Sequence, residues 1–209
     1  MINCVIFDFD GTLVDSEYIN NYALMKMFQD YNIAYDVSIS AQRYKGYKLA
    51  KIIADVEESS GVTVNADFVD HYRALVKTYY NERLEPMPDV KCFLETNNLP
   101  TCIASSAPKE KILHGLEVSG LSSYFNEQTI FSSYEINSWK PEPKIFSHAA
   151  QSMGFDPQNC IVIDDAEIGI RAALAARMRA CYYNIDGQVY TDNNVISISH
   201  MPDLLKLLL

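Results

Sequence analysis

The sequence predicts an α/β protein, a doubly wound, Rossmann-like parallel sheet core with an inserted all-helical cap. From residue 86 onward, short apolar runs of strand length alternate with helical patterns, which is typical of a parallel sheet with helices on both faces. Between residues 15 and 85, apolar residues recur only at helical spacing, and no strand is indicated. We therefore predict a core of residues 1–14 and 86–209 and a cap of residues 15–85.

The first predicted strand, residues 2–7, is an apolar run that reads as a buried strand of a parallel sheet. It is followed by Asp8 and Asp10, and then by Gly11, which permits a sharp turn of the backbone. Two acids at a strand end suit a hard cation such as Mg²⁺, which prefers oxygen ligands. Such a pair also occurs in solvated loops, so the pattern gains its meaning only from the motifs that follow.

The remaining elements follow from the spacing of apolar residues and from Gly and Pro. We place Ser16 at the N-cap of the first cap helix. The predicted cap helices span residues 18–30, 40–44, 48–59 and 66–84. The predicted core helices span residues 89–96, 109–118, 143–153, 167–176 and 202–208, and the later strands span 101–104, 129–131, 160–163, 180–183 and 195–198.

Three further sets of polar residues follow the first motif in order. Ser105 follows one strand, and with Ser106 it precedes a helix whose N-terminus suits a phosphate oxygen. Lys140 stands before Pro141, which stiffens the backbone beside it. Asp164 and Asp165 end an apolar strand, where paired acids are costly unless a positive group lies nearby. Because ligands bind at the carboxyl ends of such strands, we expect these groups to converge.

The stretches DFDGTLVDSE, IASSAP, WKPEPKIF and IVIDDAEIGI resemble the four ordered motifs of the haloacid dehalogenase superfamily. The branch resembled is the phosphatases and phosphomutases with a helical cap after the first motif, and the similarity covers essentially the whole chain. The cap stretch RYKGYKLAKII looks most like the bacterial 6-phosphogluconate phosphatases.

This resemblance implies a role for each motif residue. Asp8 would be the nucleophile that forms an aspartyl-phosphate, and Asp10 would protonate the leaving oxygen and then take a proton from water. Lys140 would link nucleophile and phosphate, and Ser105 and Ser106 would bind the phosphate. Mg²⁺ would be held by Asp8, by Asp165 directly, by Asp164 directly or through water, and by the backbone carbonyl of Asp10. An acid at position 10 also disfavours the phosphonate hydrolases and dehalogenases of the superfamily.

The predicted cap carries a small basic cluster, Arg43, Lys45 and Lys48, around Gly46. By resemblance these residues are candidates to hold a substrate carboxylate or sugar hydroxyls, with Arg bidentate and Lys as a point charge. A solvated charged loop is the other interpretation.

The composition limits the classes of partner. A net charge of −10 argues against nucleic-acid or anionic-membrane binding, and no signal peptide or membrane span is indicated. The five cysteines form no CxxC pair, so we expect reduced thiols. We expect a cytoplasmic, monomeric protein whose partner is a small phosphate ester.

The combined motifs predict a Mg²⁺-dependent phosphatase of a small phosphorylated metabolite, a sugar phosphate or a sugar-acid phosphate such as 6-phosphogluconate. Two alternatives stay open: a phosphomutase of the β-phosphoglucomutase type, which uses the same aspartyl-phosphate, and a catalytically silent binding protein that keeps the fold.

Overall fold

The sheet confirms the predicted fold class. The computed structural model describes residues 1–208, and within them six strands form one parallel sheet in the order β3-β2-β1-β4-β5-β6. β1 lies at the centre and is buried on both faces, which explains its unbroken apolar run. The strands are β1 Cys4–Phe7, β2 Thr101–Ser105, β3 Ile130–Ser132, β4 Cys160–Asp164, β5 Arg179–Tyr183 and β6 Val195–Ile198.

Helices cover both faces of the sheet. Successive β1 residues point to opposite sides, so that Val5 and Phe7 join one apolar cluster and Cys4 and Ile6 join the other. The short helix α7 is absent from the sequence prediction; the side chain of Ser132 caps it by accepting a hydrogen bond from the Tyr134 N–H at 3.2 Å. The helices after residue 85 are α5 Val90–Thr96, α6 Lys109–Val118, α7 Ser133–Ile136, α8 Lys144–Ser152, α9 Glu167–Ala175 and α10 Asp203–Leu208.

Four helices and no described strand lie between β1 and α5, as predicted. They are α1 Glu17–Gln29, α2 Val37–Arg43, α3 Leu49–Ser60 and α4 Phe68–Arg83. Helix α2 begins three residues earlier than the predicted residue 40, because the side chain of Asp36 accepts a hydrogen bond from the Ile39 N–H and caps it. We call residues 15–85 the helical segment.

The two ends of the helical segment run side by side. Val14 and Pro86 form an antiparallel bridge, and the Asp15 N–H donates to the Glu85 carbonyl at 2.9 Å. The segment also shares one apolar cluster with a face of the sheet. Its division from the core into a separate domain stays a prediction, and Leu209, the last residue of the predicted core, lies outside the described residues.

Two other expectations concern the chain as a whole. No helix among residues 1–208 is long and apolar enough to cross a membrane. All five cysteines are free, and four of them are buried.

Candidate active site

The carboxyl edge of the sheet brings three buried acids together. Asp8 directly follows β1, Asp164 ends β4, and Asp165 follows it. One carboxylate oxygen from each lies within 4.8 Å of the others. The strands β1 and β4 pair in parallel with Phe7 opposite Ile163, so the residues after them must emerge side by side.

Lys140 is the cation inside this group. Its Nζ lies 2.7 Å from Asp8 Oδ1 and 2.7 Å from Asp164 Oδ2, and all three side chains are buried. Burial alone would lower the pKa of Lys140, but the two carboxylates outweigh it and the pKa is raised. Burial raises the pKa of Asp8 to about 6, although Lys140 acts in the opposite direction. The predicted contact between Lys140 and the nucleophile candidate is therefore present.

Asp165 is held from two sides. Thr12 Oγ1 donates to its Oδ1 at 3.0 Å, and Lys45 Nζ, from the helical segment, lies 2.8 Å from its Oδ2 as an ion pair. Gly11 has φ +75°, and a Cβ there would overlap the Asp165 carboxylate. Both the turn and the close approach require glycine at position 11.

The acid group fits a hard divalent cation. Burial raises the pKa values of Asp164 and Asp165, and each feels the negative charge of another acid of the group. Two lysine ammonium groups, on Lys140 and Lys45, face these three carboxylates, so one negative charge is left over. Oxygen donors with excess negative charge are the set that Mg²⁺ prefers. Asp8, Asp164 and Asp165 would hold the ion.

Helix α9 approaches this group closely. A Cβ at Gly169 would overlap the Asp164 carboxylate, and the Ala166 N–H donates to Asp164 Oδ1 at 2.9 Å. The start of α9 thus fixes the orientation of Asp164, while Glu167 lies in the first turn of the helix as expected.

The Asp10 carboxylate does not contact the group formed by Asp8, Asp164 and Asp165, and it has its own set of partners. Its oxygens accept hydrogen bonds from Ser16 Oγ at 2.6 Å, Asn20 Nδ2 at 3.1 Å and Tyr80 Oη at 3.0 Å, and Lys111 Nζ lies 2.8 Å from both oxygens. Burial acts to raise the pKa of Asp10, but Lys111 and the other donors lower it. The side chain of Ser16 does not cap α1 as predicted, because its hydroxyl bonds Asp10 instead.

Ser105 and Ser106 lie beside Asp8 at the end of β2. Ser105 Oγ accepts a hydrogen bond from the Ala107 N–H at 3.2 Å, whereas Ser106 Oγ is buried without a partner among the described residues. Helix α6 begins shortly after them. A free hydroxyl at the start of a helix suits an anionic oxygen.

A cavity of about 290 Å³ separates the helical segment from this edge of the sheet. Its inner end is formed by Asp8, Asp10, Ser105 and Ser106, and the helical segment forms the opposite wall. The side chains from α1, α3 and α4 that line it include Glu17, Asn20, Leu24, Leu49, Ile52, Tyr72, Val76 and Tyr80.

The structure places the three cations of the predicted cap cluster in different surroundings. Arg43 is exposed with its guanidinium 5.1 Å from the Tyr44 ring, and Lys45 is paired with Asp165; neither lines the cavity. Lys48 does line the cavity, with Nζ 4.7 Å from the Trp139 ring, and so does Gly46. The sequence spacing could not separate these cases, because Arg43 ends α2 whereas Lys45 and Lys48 lie on the loop between α2 and α3. Their role in substrate binding stays a prediction.

Several polar residues of the cavity are missing from the sequence prediction. Lys111 and His114 lie on α6, Arg73 and Lys77 on α4, and Glu17 starts α1. The one available signal was helical spacing: Arg73 and Lys77 are one turn apart and adjoin the buried face of α4 formed by Tyr72, Val76 and Tyr80.

A parallel sheet with buried acids and a buried lysine, Lys140, at its carboxyl edge defines a class of enzyme site for anionic substrates. The sequence model of the family described as haloacid dehalogenase-like hydrolase matches residues 5–183. The chain therefore belongs to the haloacid dehalogenase-like hydrolases, which confirms the resemblance found in its motifs.

Relatives and solved structures agree with this assignment. The 6-phosphogluconate phosphatase of Escherichia coli (strain K12) is 34% identical over 209 residues, covering 99% of this chain and 94% of the relative. The fructose-1-phosphate phosphatase YqaB of the same organism is 28% identical over 184 residues, covering 84% and 93%. The crystal structure of β-phosphoglucomutase from Clostridium difficile has a TM-score of 0.83 with 22% identity, covering 99% and 96%, which shows the shared fold alone.

Proposed function

We propose that this hydrolase is a Mg²⁺-dependent phosphatase of a small sugar phosphate or sugar-acid phosphate, such as 6-phosphogluconate. The observation that carries the proposal is Lys140, whose ammonium bonds both Asp8 and Asp164 inside a buried acid group that opens onto a cavity. The two phosphatase relatives support the substrate class.

Asp8 is the proposed nucleophile. Its free carboxylate oxygen forms a bond to phosphorus while the bond from phosphorus to the ester oxygen breaks, giving an aspartyl-phosphate and an alcohol. Lys140 holds the other oxygen, Oδ1, and so orients the attack. Ser106 Oγ, which has no partner among the described residues, donates to a phosphate oxygen.

Asp10 is the proposed proton carrier. It gives a proton to the departing ester oxygen and later takes one from the water that attacks phosphorus and releases phosphate from Asp8. Before the first step Asp10 must gain a proton on one oxygen, while Lys111 keeps its contact with the other oxygen and holds the carboxyl group in place. Asp10 and Lys111 both line the cavity, so this change can take place when the substrate enters.

The metal has a supporting role. Mg²⁺ would be held by Asp8, Asp164, Asp165 and the backbone carbonyl of Asp10, where it offsets the negative charge of the phosphoryl group. The proposed partner is a small anionic ester, and the monomeric state and cytoplasmic location stay predictions from composition.

Phosphate release tests the proposal. With Mg²⁺ the protein should release phosphate from 4-nitrophenyl phosphate and from 6-phosphogluconate, and Asp8→Asn should abolish both because an amide cannot form the acyl phosphate. Asp15→Asn removes the same charge from an exposed position and should retain wild-type rates. Turnover by Asp8→Asn near the wild-type rate would reject the role of Asp8, and no turnover by the wild type would favour a silent binding protein.

The phosphomutase alternative needs a separate measurement. A mutase would convert a hexose 1-phosphate to its isomer, whereas a phosphatase would release phosphate in stoichiometric amount. The two activities share the proposed aspartyl-phosphate, so the products must be compared. With β-glucose 1-phosphate as substrate, the amounts of isomer and of free phosphate decide between mutase and phosphatase.

A further inference from the structure

Part of the cavity wall is rich in cations. Arg73 and Lys77 of α4 line it, together with Lys111 and His114 of α6. On α4, Arg73 and Lys77 precede Tyr80, which bonds Asp10, and Arg73 therefore lies about 10 Å along the helix from that contact. These two helices pack against each other, and Lys111 Nζ lies 5.5 Å from the ring of Tyr80 on α4. The four side chains therefore line one wall of the cavity, contributed jointly by the helical segment and the core.

Two charges of this wall, those of the exposed Arg73 and Lys77, have no carboxylate partner among the described residues, whereas Lys111 is paired with Asp10. Glu110 of α6 also lines the cavity. No ion pair among residues 1–208 includes Arg73 or Lys77, although the chain carries a net charge of −10. Arg73 instead lies with its guanidinium 5.8 Å from the ring of Tyr134, which also lines the cavity. In an acidic protein, cations without carboxylate partners in a cavity create a local site for an anion.

His114 adds an unused polar atom. Its Nε2 is buried and has no hydrogen-bond partner among the described residues, and the residue lines the same cavity. A buried polar atom without a partner is costly, so a ligand group that bonds it is stabilised. The inner end of the cavity is already suited to a phosphate, which leaves this wall for the other end of the substrate.

We propose that Arg73 and Lys77, with His114 beside them, form a second subsite that binds a carboxylate at the far end of the substrate. This inference rests on the proposed phosphatase function and narrows the substrate class to phosphorylated sugar acids. The guanidinium of Arg73 binds a carboxylate through two parallel N–H groups, and Lys77 adds a point charge one helical turn away. The wall thus takes the role that the sequence predicted for Arg43, Lys45 and Lys48.

Two matched substrates test the subsite. 6-Phosphogluconate and sorbitol 6-phosphate share the carbon chain and the ester, and differ in a carboxylate against a hydroxymethyl group. The wild type should prefer the acid by about 10- to 100-fold in kcat/KM, the value of one charge-assisted contact. Arg73→Gln with Lys77→Gln should reduce this ratio toward one, mainly through KM for the acid. Arg83→Gln removes a charge from the exposed last turn of the same helix and should leave the ratio unchanged.

The outcomes separate this inference from the proposed function. If the wild type hydrolyses neither ester, the phosphatase proposal fails. If it hydrolyses both with equal kcat/KM, or if the double variant keeps the preference while Lys48→Gln removes it, the phosphatase proposal stands and the subsite is overturned. Turnover of sorbitol 6-phosphate by the double variant shows that it is folded.

Discussion

Asp10 accepts five hydrogen bonds from four side chains, and these come from both sides of the cavity. Ser16, Asn20 and Tyr80 belong to the helical segment, whereas Lys111 belongs to the core. A side chain in such a network keeps one orientation, which general acid–base chemistry requires. Lys111 is the only donor of the four that contacts both oxygens, so it determines how the carboxylate faces the cavity.

Replacing Lys111 by Met should therefore act through Asp10. We expect kcat for a sugar phosphate to fall by about tenfold or more, with the full loss of general acid–base catalysis, about 10²–10⁴, as the upper limit. The loss should be much smaller for 4-nitrophenyl phosphate, whose leaving group departs without protonation. Steady-state kinetics with both esters measures this split. Lys109→Met on the same helix, where Lys109 contacts Glu135, is the control; equal losses on both esters would contradict the role.

A second prediction concerns Glu17 and the dependence of thermal stability on pH. Burial, Asp165 and Asp10 raise its pKa from 4.5 to about 8. A raised carboxyl pKa contributes stability below pH 4.5 that is lost as pH rises toward 8. In metal-free buffer, the Tm of Glu17→Gln relative to wild type should therefore increase across this window and level off above it. Calorimetry at several pH values measures it, Glu58→Gln controls for a surface charge, and a constant difference would refute the prediction.

The elements that carry the site are held at close range. β4 delivers Asp164 to the edge of the sheet, and α9 then returns across the same strand with Gly169 against that carboxylate. Any larger residue at position 169 must push α9 away from β4 or rotate Asp164 out of its contact with Lys140. The position of α9 and the orientation of the Asp164 carboxylate therefore depend on each other.

Gly169→Ala should accordingly lower both stability and activity. Alanine improves helix propensity by up to about 1 kcal/mol, but an overlap of this kind costs about 1–3 kcal/mol. We expect a lower midpoint in urea and a reduced kcat. Arg171→Ala places alanine at an exposed position of the same helix, where helix propensity changes little and no overlap arises, and it should preserve both stability and activity. A Gly169→Ala protein as stable and active as wild type would contradict the close packing.

Across the whole molecule, the helical segment touches the acid group directly. Lys45 reaches Asp165, and Gly46, with φ +78°, rests against Ala166 and Ile168 so closely that a Cβ would lie 2.8 Å from Ala166 Cβ. A cation held by Asp8, Asp164 and Asp165 would therefore act on the loop that carries Lys45 and Gly46 as well as on the sheet.

Magnesium should raise the thermal stability of the whole chain. At a free concentration of about 100 times Kd, a ligand specific for the folded state adds about 2.7 kcal/mol, which corresponds to roughly 5–10 °C in Tm for a chain of this size. Asp165→Asn should lose most of this shift, whereas Asp186→Asn, at an exposed loop position, should keep it. Differential scanning calorimetry with and without Mg²⁺ measures both. A wild-type Tm that does not respond to Mg²⁺ would exclude the site.

The fold was predictable because its signals are local. Each strand is an apolar run, and the acids follow directly, so their convergence needs only parallel pairing. Helix α7 was missed because four residues are too few for a period. Lys111 and Arg73 were missed because helical spacing shows only that a cation adjoins a buried face, as Arg73 does on α4, and does not show whether that edge meets a cavity or solvent. The directions of the Arg43, Lys45 and Lys48 side chains depend on where α2 ends and on the loop backbone after it, neither of which the spacing encodes.

The antiparallel bridge between Val14 and Pro86 also bears on how such a protein changes over generations. The helical segment leaves and re-enters at neighbouring points, so a different insertion with ends equally close would fit the same two junctions. Insertions succeed at such positions because they leave the sheet and its pairing untouched. Exchanging this one contiguous stretch of the gene would replace a wall of the cavity, together with the side chains that contact Asp10 and Asp165, and would keep β1, β4 and Lys140.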